Sequence, residues 1–236
     1  MTKIKYFHVI SILLAYLVSS SAGAFGFADK IPSIGGIGGI GGNSGEASSG
    51  SASWKQVAAD FQSARLDITR EVIIQDQLRT EILDAIGLKK EAAIARNNAK
   101  KYEKGDVLGT SDLGEIREKS ASTDKLIVDT LSEAENLTAD QKKALGEIAV
   151  KYVPSLLSTI KTAKLIKKTI SNVSKLGTPK FTDGKSVISA AKDIPKVGPA
   201  IIKLTLDSVK QGTKMLSLMN TKGVPTPDTS AIPNDF

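Results

Sequence analysis

The chain has almost none of the two residue types, histidine and cysteine, that most often carry acid–base or nucleophilic chemistry near neutral pH. Its 236 residues include a single histidine, His8, and no cysteine. Histidine is the usual general base near neutral pH and the commonest metal ligand, and the cysteine thiolate is a reactive nucleophile. His8 lies in a segment that we predict to be removed, so the mature chain would keep neither residue type. We therefore expect no metal site, no cofactor and no enzymatic activity.

The tripeptide Gly184-Lys185-Ser186 matches the end of a phosphate-binding loop. That loop also needs an opening glycine five residues before its last glycine and a preceding strand, because its backbone amides cradle the phosphates. The required position holds Pro179, Gly177 stands two residues too early, and a lysine-rich helical pattern precedes the motif. We therefore predict no nucleotide site here.

A serine paired with a lysine is the one nucleophile–base arrangement open to a chain without histidine. The spacing Ser-x-x-Lys occurs at Ser122/Lys125, Ser158/Lys161 and Ser189/Lys192. The Lys-Thr-Gly and Ser-Asp-Asn elements that accompany it in penicillin-recognising enzymes are absent from the sequence. Carboxylates pair on helix faces at Asp67/Glu71 and Glu115/Glu118. We interpret the Ser-x-x-Lys spacings as chance matches in a chain rich in serine and lysine. We interpret the carboxylate pairs as solvated surface, because no aromatic-rich cleft for a sugar is predicted.

The N-terminal residues have the three-part pattern of a secretory signal. Two lysines precede an apolar run over residues 6–18, and small residues follow it. The run is too short to cross a bilayer comfortably, and Ala22-Gly23-Ala24 fits a cleavage site. We predict cleavage between Ala24 and Phe25 and an exported protein, periplasmic or secreted. The alternatives are an uncleaved membrane anchor and a buried N-terminal helix.

Charge is divided unevenly along the chain. Residues 54–150 carry 15 basic and 18 acidic side chains, a net charge of −3. Residues 151–222 carry 14 lysines, no arginine and three aspartates, a net charge of +11. The basic half could face anionic lipid, a polyanionic polymer or nucleic acid, or it could face the acidic half or solvent. Because arginine is the residue that binds phosphate and guanine bidentately, its absence disfavours nucleic acid.

Two lysine strips are the best-ordered feature of the basic half. On a helical wheel the first strip contains Lys161, Lys164, Lys168 and Lys175, and the second contains Lys203, Lys210 and Lys214. The apolar faces beside them contain Leu156, Ile160, Ala163, Ile166, Ile170 and Val173, and Ile202, Leu206, Val209 and Leu216. This pattern is typical of a core-facing helix with a soluble outer face. It also fits a platform for anionic headgroups or polymer, with lysines extending from an apolar boundary.

Apolar residues recur every three to four positions through most of the chain, which is the period of an α-helix. Capping boxes are predicted at Ser53 and Thr138. The core-facing positions of the first helix include Gln75 and either Leu78 or Arg79. No segment alternates with the period of a strand, so we predict no sheet.

Glycine and proline positions set the expected helix ends. We expect the first helix to bend at Gly87 and end at Gly105. Pro154 should kink or split the helix that opens at Thr138, and the last helical region, from Asp183 to about Thr221, should break around Pro195 and Pro199. Those prolines remove backbone donors and clash with the preceding turn.

We predict an all-α fold, an elongated antiparallel bundle of about four to five helices over residues 54–222. Residues 1–24 are the signal peptide, residues 25–53 a Gly/Ser-rich flexible segment, and residues 223–236 a disordered tail. The Ile-Gly-Gly repeats in the flexible segment could also contact a membrane or a partner.

The overall plan resembles that of uncharacterised exported helical proteins of proteobacteria. The features that carry the resemblance are the signal, the glycine-rich start and two segments, Ile86-Gly-Leu-Lys-Lys-Glu-Ala-Ala and Leu137-Thr-Ala-Asp-Gln-Lys-Lys-Ala. The resemblance implies a location in a Gram-negative cell envelope and supplies no activity or site residues.

These observations favour a protein that works by binding. The first hypothesis is an exported, non-enzymatic interaction protein of the bacterial envelope that binds an unknown protein partner through its helix faces. The alternative is a membrane-surface or membrane-active protein that engages anionic lipid or an envelope polymer through the lysine strips.

Overall fold

The computed structural model describes residues 53–102 and 108–233. Its α-helices are α1 (Trp54–Ala85), α2 (Lys89–Lys100), α3 (Thr110–Glu133), α4 (Ala139–Val173) and α5 (Lys185–Thr221), with a 3-10 turn over Phe181–Asp183. No described residue lies in a strand, and the predicted all-α bundle is confirmed. The signal peptide, its cleavage positions Ala24 and Phe25, and nearly all of the Gly/Ser-rich segment lie outside the described residues.

Successive helices run in opposite directions, so α1, α3 and α5 point one way. One apolar cluster joins the C-terminal parts of these three helices to the N-terminal part of α4. The other cluster joins their N-terminal parts to the C-terminal part of α4. The core therefore extends along the bundle in two apolar clusters, each built mainly from leucine, isoleucine, valine and alanine.

The starts of α1 and α4 show how sequence sets helix ends. Thr138 Oγ1 accepts a hydrogen bond from the amide of Gln141 at 3.2 Å, and Gln141 Oε1 accepts one from the amide of Thr138 at 3.0 Å. This capping box is complete, as predicted. At α1, Ser53 Oγ accepts from the amide of Gln56 at 3.2 Å, but the Gln56 side chain donates to Asp60 at 2.7 Å. Only half of the predicted box forms there.

Gly87, Pro195 and Pro199 act differently from the predictions, and Pro154 does not split its helix. Gly87 does not bend one long helix but separates α1 from α2, with a φ of +90° that a residue with a Cβ adopts reluctantly. Pro154 lies inside an unbroken α4, and Pro195 and Pro199 lie inside an unbroken α5. All three prolines are on exposed sides of their helices, so water can bind the carbonyls that they leave without a donor.

The described part of the C-terminal segment, residues 223–233, corrects the prediction of a disordered tail. It contains no helix or strand, as its composition suggests, but it packs on the bundle. Val224 is 2% exposed and Ile232 is 5% exposed, and both belong to an apolar cluster of the core. Gly146 of α4 leaves room for Pro225, since a Cβ there would lie 2.9 Å from the proline ring. Two apolar side chains thus anchor a segment rich in proline.

A layer of buried polar residues lies where the two apolar clusters meet. Arg79 Nε donates to Asp124 Oδ1 at 2.7 Å and Arg79 Nη2 to Asp124 Oδ2 at 3.2 Å, which links α1 to α3. Arg79 Nη1 also donates to Asp76 at 2.9 Å. Gln75 Nε2 donates to Thr159 Oγ1 at 2.8 Å and links α1 to α4. Because a buried polar group needs its partner, this layer fixes how the helices are aligned along one another.

The charged groups of this layer influence one another's pKa values. Burial is the largest single influence and acts to lower the pKa of Arg79, but Asp124, Tyr152 and Asp76 together hold that pKa above its ordinary value. Burial raises the pKa of Asp76, although Arg79 and a hydrogen bond from Ser120 both act to lower it. Burial also raises the pKa of Tyr152, whose hydroxyl has no hydrogen-bond partner. Arg79 is therefore the group that compensates the buried carboxylates.

Candidate functional site

The structure places all seven predicted lysines on the surface. Each has an exposed side chain on α4, on α5 or in the turn that follows α4; they are Lys161, Lys164, Lys168, Lys175, Lys203, Lys210 and Lys214. The helical period explains this placement, because the core-facing positions of the same helices hold apolar residues. We call these seven residues the lysine strips.

The lysine strips are not neutralised within the described part of the fold. None of the seven lysines lies within ion-pair distance of a carboxylate there. Two of the three aspartates of the basic half instead pair with arginines of the acidic half. Asp193 binds Arg65, with an Nη1–Oδ2 distance of 3.2 Å, and Asp207 binds the Nε of Arg117. Arginines of α1 and α3 thus pair with two carboxylates of α5, and the strip lysines form no ion pair with any described residue.

The apolar faces beside the strips largely match the predictions. Leu156, Ile160, Ala163 and Ile166 are buried on α4, and Val209 and Leu216 are buried on α5. Ile170, Val173 and Ile202 are partly buried against the core. Leu206 differs, since it is 40% exposed and stands between Lys203 and Lys210 in the sequence. The second strip therefore has one apolar side chain at the solvent boundary.

The two helices that carry the strips are in close contact. A Cβ on Gly198 of α5 would lie 2.7 Å from Ile170 of α4, and one on Gly212 would lie 2.8 Å from the Tyr152 ring. Glycine at these positions lets the helix axes approach. The two contacts are 14 residues apart on α5 and run in the opposite order along α4, so the strips extend along antiparallel neighbours.

An open groove lies beside the first strip. It has a volume of 530 Å³ and is lined by Leu157, Ile160, Lys161 and Lys164 of α4 and by Ser230, Ala231 and Pro233 of the C-terminal segment. Its lining thus combines apolar residues of both segments with two lysines of the first strip. The groove exists only where the C-terminal segment packs on α4, so no local sequence pattern predicts it.

The other motifs of the sequence do not assemble into a catalytic arrangement in the described residues. Lys125 donates to Asp129 at 2.5 Å and not to Ser122. Glu115 is held by Lys101 and Lys119, which lower its pKa to about 2. In the described ranges, no group of three or more acidic, histidine or cysteine side chains is placed to hold a metal ion. Gly184 precedes α5 with a φ of +94°, and serves as a turn.

The fold and its surface define an α-helical bundle with unpaired lysines along two neighbouring helices. No protein-family model, curated protein or solved structure matches this chain. Among the described helices, none combines the length and the apolar composition that crossing a bilayer requires.

Proposed function

We propose that this chain is an exported, non-enzymatic protein of the bacterial envelope that binds an anionic surface through the lysine strips. The observation that carries the proposal is that all seven strip lysines are exposed while arginines occupy Asp193 and Asp207. A charge without an internal partner is available to an external one. Each lysine near an anionic membrane adds about 1 kcal/mol, so a strip acts through the sum of its charges.

Lysine-rich faces favour an anionic lipid or polymer surface over a protein interface. Protein interfaces are depleted in lysine and depend on a few buried aromatic or arginine anchors. The strips contain neither type of anchor. An anionic membrane instead needs mobile positive charges at its surface, which the long and flexible lysine side chain supplies.

Binding of a protein partner is a second candidate, and the groove beside the first strip favours it. Leu157, Ala231 and Pro233 line the groove together with Lys161 and Lys164. A segment with one apolar and one acidic side chain would match that lining.

Export is part of the proposal and rests on the N-terminal pattern of positive, apolar and small residues. When the chain is produced with its own N-terminus in a Gram-negative host, we expect an envelope protein that begins at Phe25. Intact-mass analysis of the envelope fraction measures this directly. An exported protein that still carries Met1 would contradict the cleavage, and a purely cytoplasmic protein would contradict export.

Sedimentation with lipid vesicles tests the binding proposal. The chain from Phe25 onward should sediment with phosphatidylglycerol-containing vesicles at low salt and remain in solution with phosphatidylcholine vesicles. Binding should weaken as salt rises, because the screening length falls from about 30 Å at 0.01 M to about 8 Å at 0.15 M. Equal binding to both vesicle types, or binding that salt does not change, would count against the lysine strips.

A further inference from the structure

The connection between α4 and α5 carries the most exposed large apolar side chain of the described residues. Phe181 is 94% exposed, whereas the next such residue, Val150, is 60% exposed. A phenylalanine left in water forgoes about 1.5–3 kcal/mol of burial free energy. Scattered exposed leucines are ordinary, but an aromatic ring with almost its whole surface in water suggests a binding role.

The backbone on either side holds Phe181 in a fixed turn. The amide of Lys180 donates to Asp183 Oδ2 at 2.7 Å, and the amide of Asp183 donates to the carbonyl of Lys180 at 2.9 Å. The indole of Trp54, at the start of α1, donates to the carbonyl of Gly177 at 2.7 Å. The ring is therefore presented by a turn that is tied to the bundle.

Three lysines lie close to this ring in the sequence. Lys175, Lys180 and Lys185 are exposed in or beside the connection, and none pairs with a carboxylate of the described residues. The only acidic residue of the connection, Asp183, accepts the hydrogen bond that forms the turn. An apolar ring among unpaired lysines therefore projects at the end of the bundle where α4 meets α5.

We propose that Phe181 inserts into the interfacial region of an anionic bilayer while Lys175, Lys180 and Lys185 bind lipid headgroups. This inference rests on the proposed function and names the residue that enters the lipid. A protein hot spot would need further apolar residues to exclude water around the ring, whereas lysines extend readily to the headgroups on either side of an inserted ring. Aromatic and basic residues together are typical of proteins that lie on a membrane surface.

Fluorescence quenching by lipids brominated in their acyl chains tests the insertion. The F181W variant, in the chain from Phe25 onward, should show a blue-shifted emission and quenching beyond that of Trp54 when phosphatidylglycerol-containing vesicles are added. The matched control is I94W, because Ile94 is 53% exposed but lies on α2, outside the connection between α4 and α5. I94W should show only the quenching of the wild-type chain.

Affinity provides the second measurement. F181S should bind phosphatidylglycerol-containing vesicles about tenfold more weakly, as expected for a partly buried ring, while I94S should bind like the wild type. If wild type and F181S bind equally and F181W is not quenched, the insertion is overturned although the lysine strips still bind. If the wild type does not bind at low salt, both the insertion and the proposed function fall. If F181S keeps its vesicle affinity but loses a protein partner, the ring belongs to a protein interface, which also overturns the insertion.

Discussion

Replacing Arg79 with methionine should lower the free energy of unfolding by about 3–5 kcal/mol, the usual result of leaving a buried charge without its partner. The Arg79 side chain is 3% exposed and forms two hydrogen bonds to Asp124, which is 2% exposed, and one to Asp76, which is 19% exposed. Methionine fills similar space but leaves two carboxylates in the core without a cation.

Urea unfolding followed by circular dichroism measures this effect. The matched control is Arg96→Met, because Arg96 pairs with Asp84 at 2.8 Å where the two side chains are 54% and 42% exposed. A surface pair of this kind contributes about 0–1 kcal/mol. The double variant Arg79→Met/Asp124→Leu should recover part of the lost stability, since it removes the deeper unpaired charge. Equal losses from Arg79→Met and Arg96→Met would show that the buried pair does not hold the helices together.

The effect of Arg79→Met should depend on pH. Burial already raises the pKa of Asp76, and removing Arg79 takes away a charge that lowers that pKa. A carboxyl group whose pKa is higher in the folded state than in the unfolded state binds its proton more tightly when folded. The contribution of this group to the variant's stability is therefore full below the unfolded-state pKa and is lost as pH rises through the raised folded-state pKa. The difference from wild type should be larger at pH 8 than at pH 5, and a difference that pH does not change would contradict this assignment.

The helical period explains why the sequence predicted the bundle and the exposure of the lysine strips. Both follow from which residues share a helix face, and that is local information. The pairing of Arg79 with Asp124, 45 residues apart, depends on which helices become neighbours. The polar residue Gln75 at a core-facing position was a signal that a buried polar layer exists, but its partner Thr159 lies on a helix that the period alone cannot place.

Composition misled the predictions for the C-terminal segment and for the prolines. A segment rich in proline is typical of unstructured chain, yet Val224 and Ile232 of this segment are buried in an apolar cluster of the core. A proline inside a helix leaves a carbonyl of the preceding turn without its hydrogen-bond donor. Pro154, Pro195 and Pro199 are exposed, so water can bind that carbonyl and the helix continues. The groove beside Lys161 and Lys164 is formed partly by the C-terminal segment. The groove could therefore not be predicted without knowing that this segment packs on α4.

Changing Lys161, Lys164, Lys168 and Lys175 together to glutamine should weaken binding to phosphatidylglycerol-containing vesicles by about a thousandfold at low salt. Four lysines at about 1 kcal/mol each correspond to about 4 kcal/mol, and each 1.4 kcal/mol is a factor of ten in affinity. A single change should cost less than tenfold. The helical signal should not change, because the four side chains are exposed and form no ion pair with the described residues.

A second quadruple variant separates the position of these charges from their number. Its four lysines are exposed in the acidic half of the chain, at Lys89, Lys90, Lys100 and Lys143. Changing them to glutamine lowers the net charge by the same amount but leaves the lysine strips intact, so vesicle sedimentation should stay close to that of wild type. Equal losses from the two variants would mean that net charge alone drives binding. If the wild-type chain ignores anionic vesicles at low salt, the strip lysines form an ordinary solvated face, and the groove beside Leu157 and Ile160 becomes the surface to test for a protein partner.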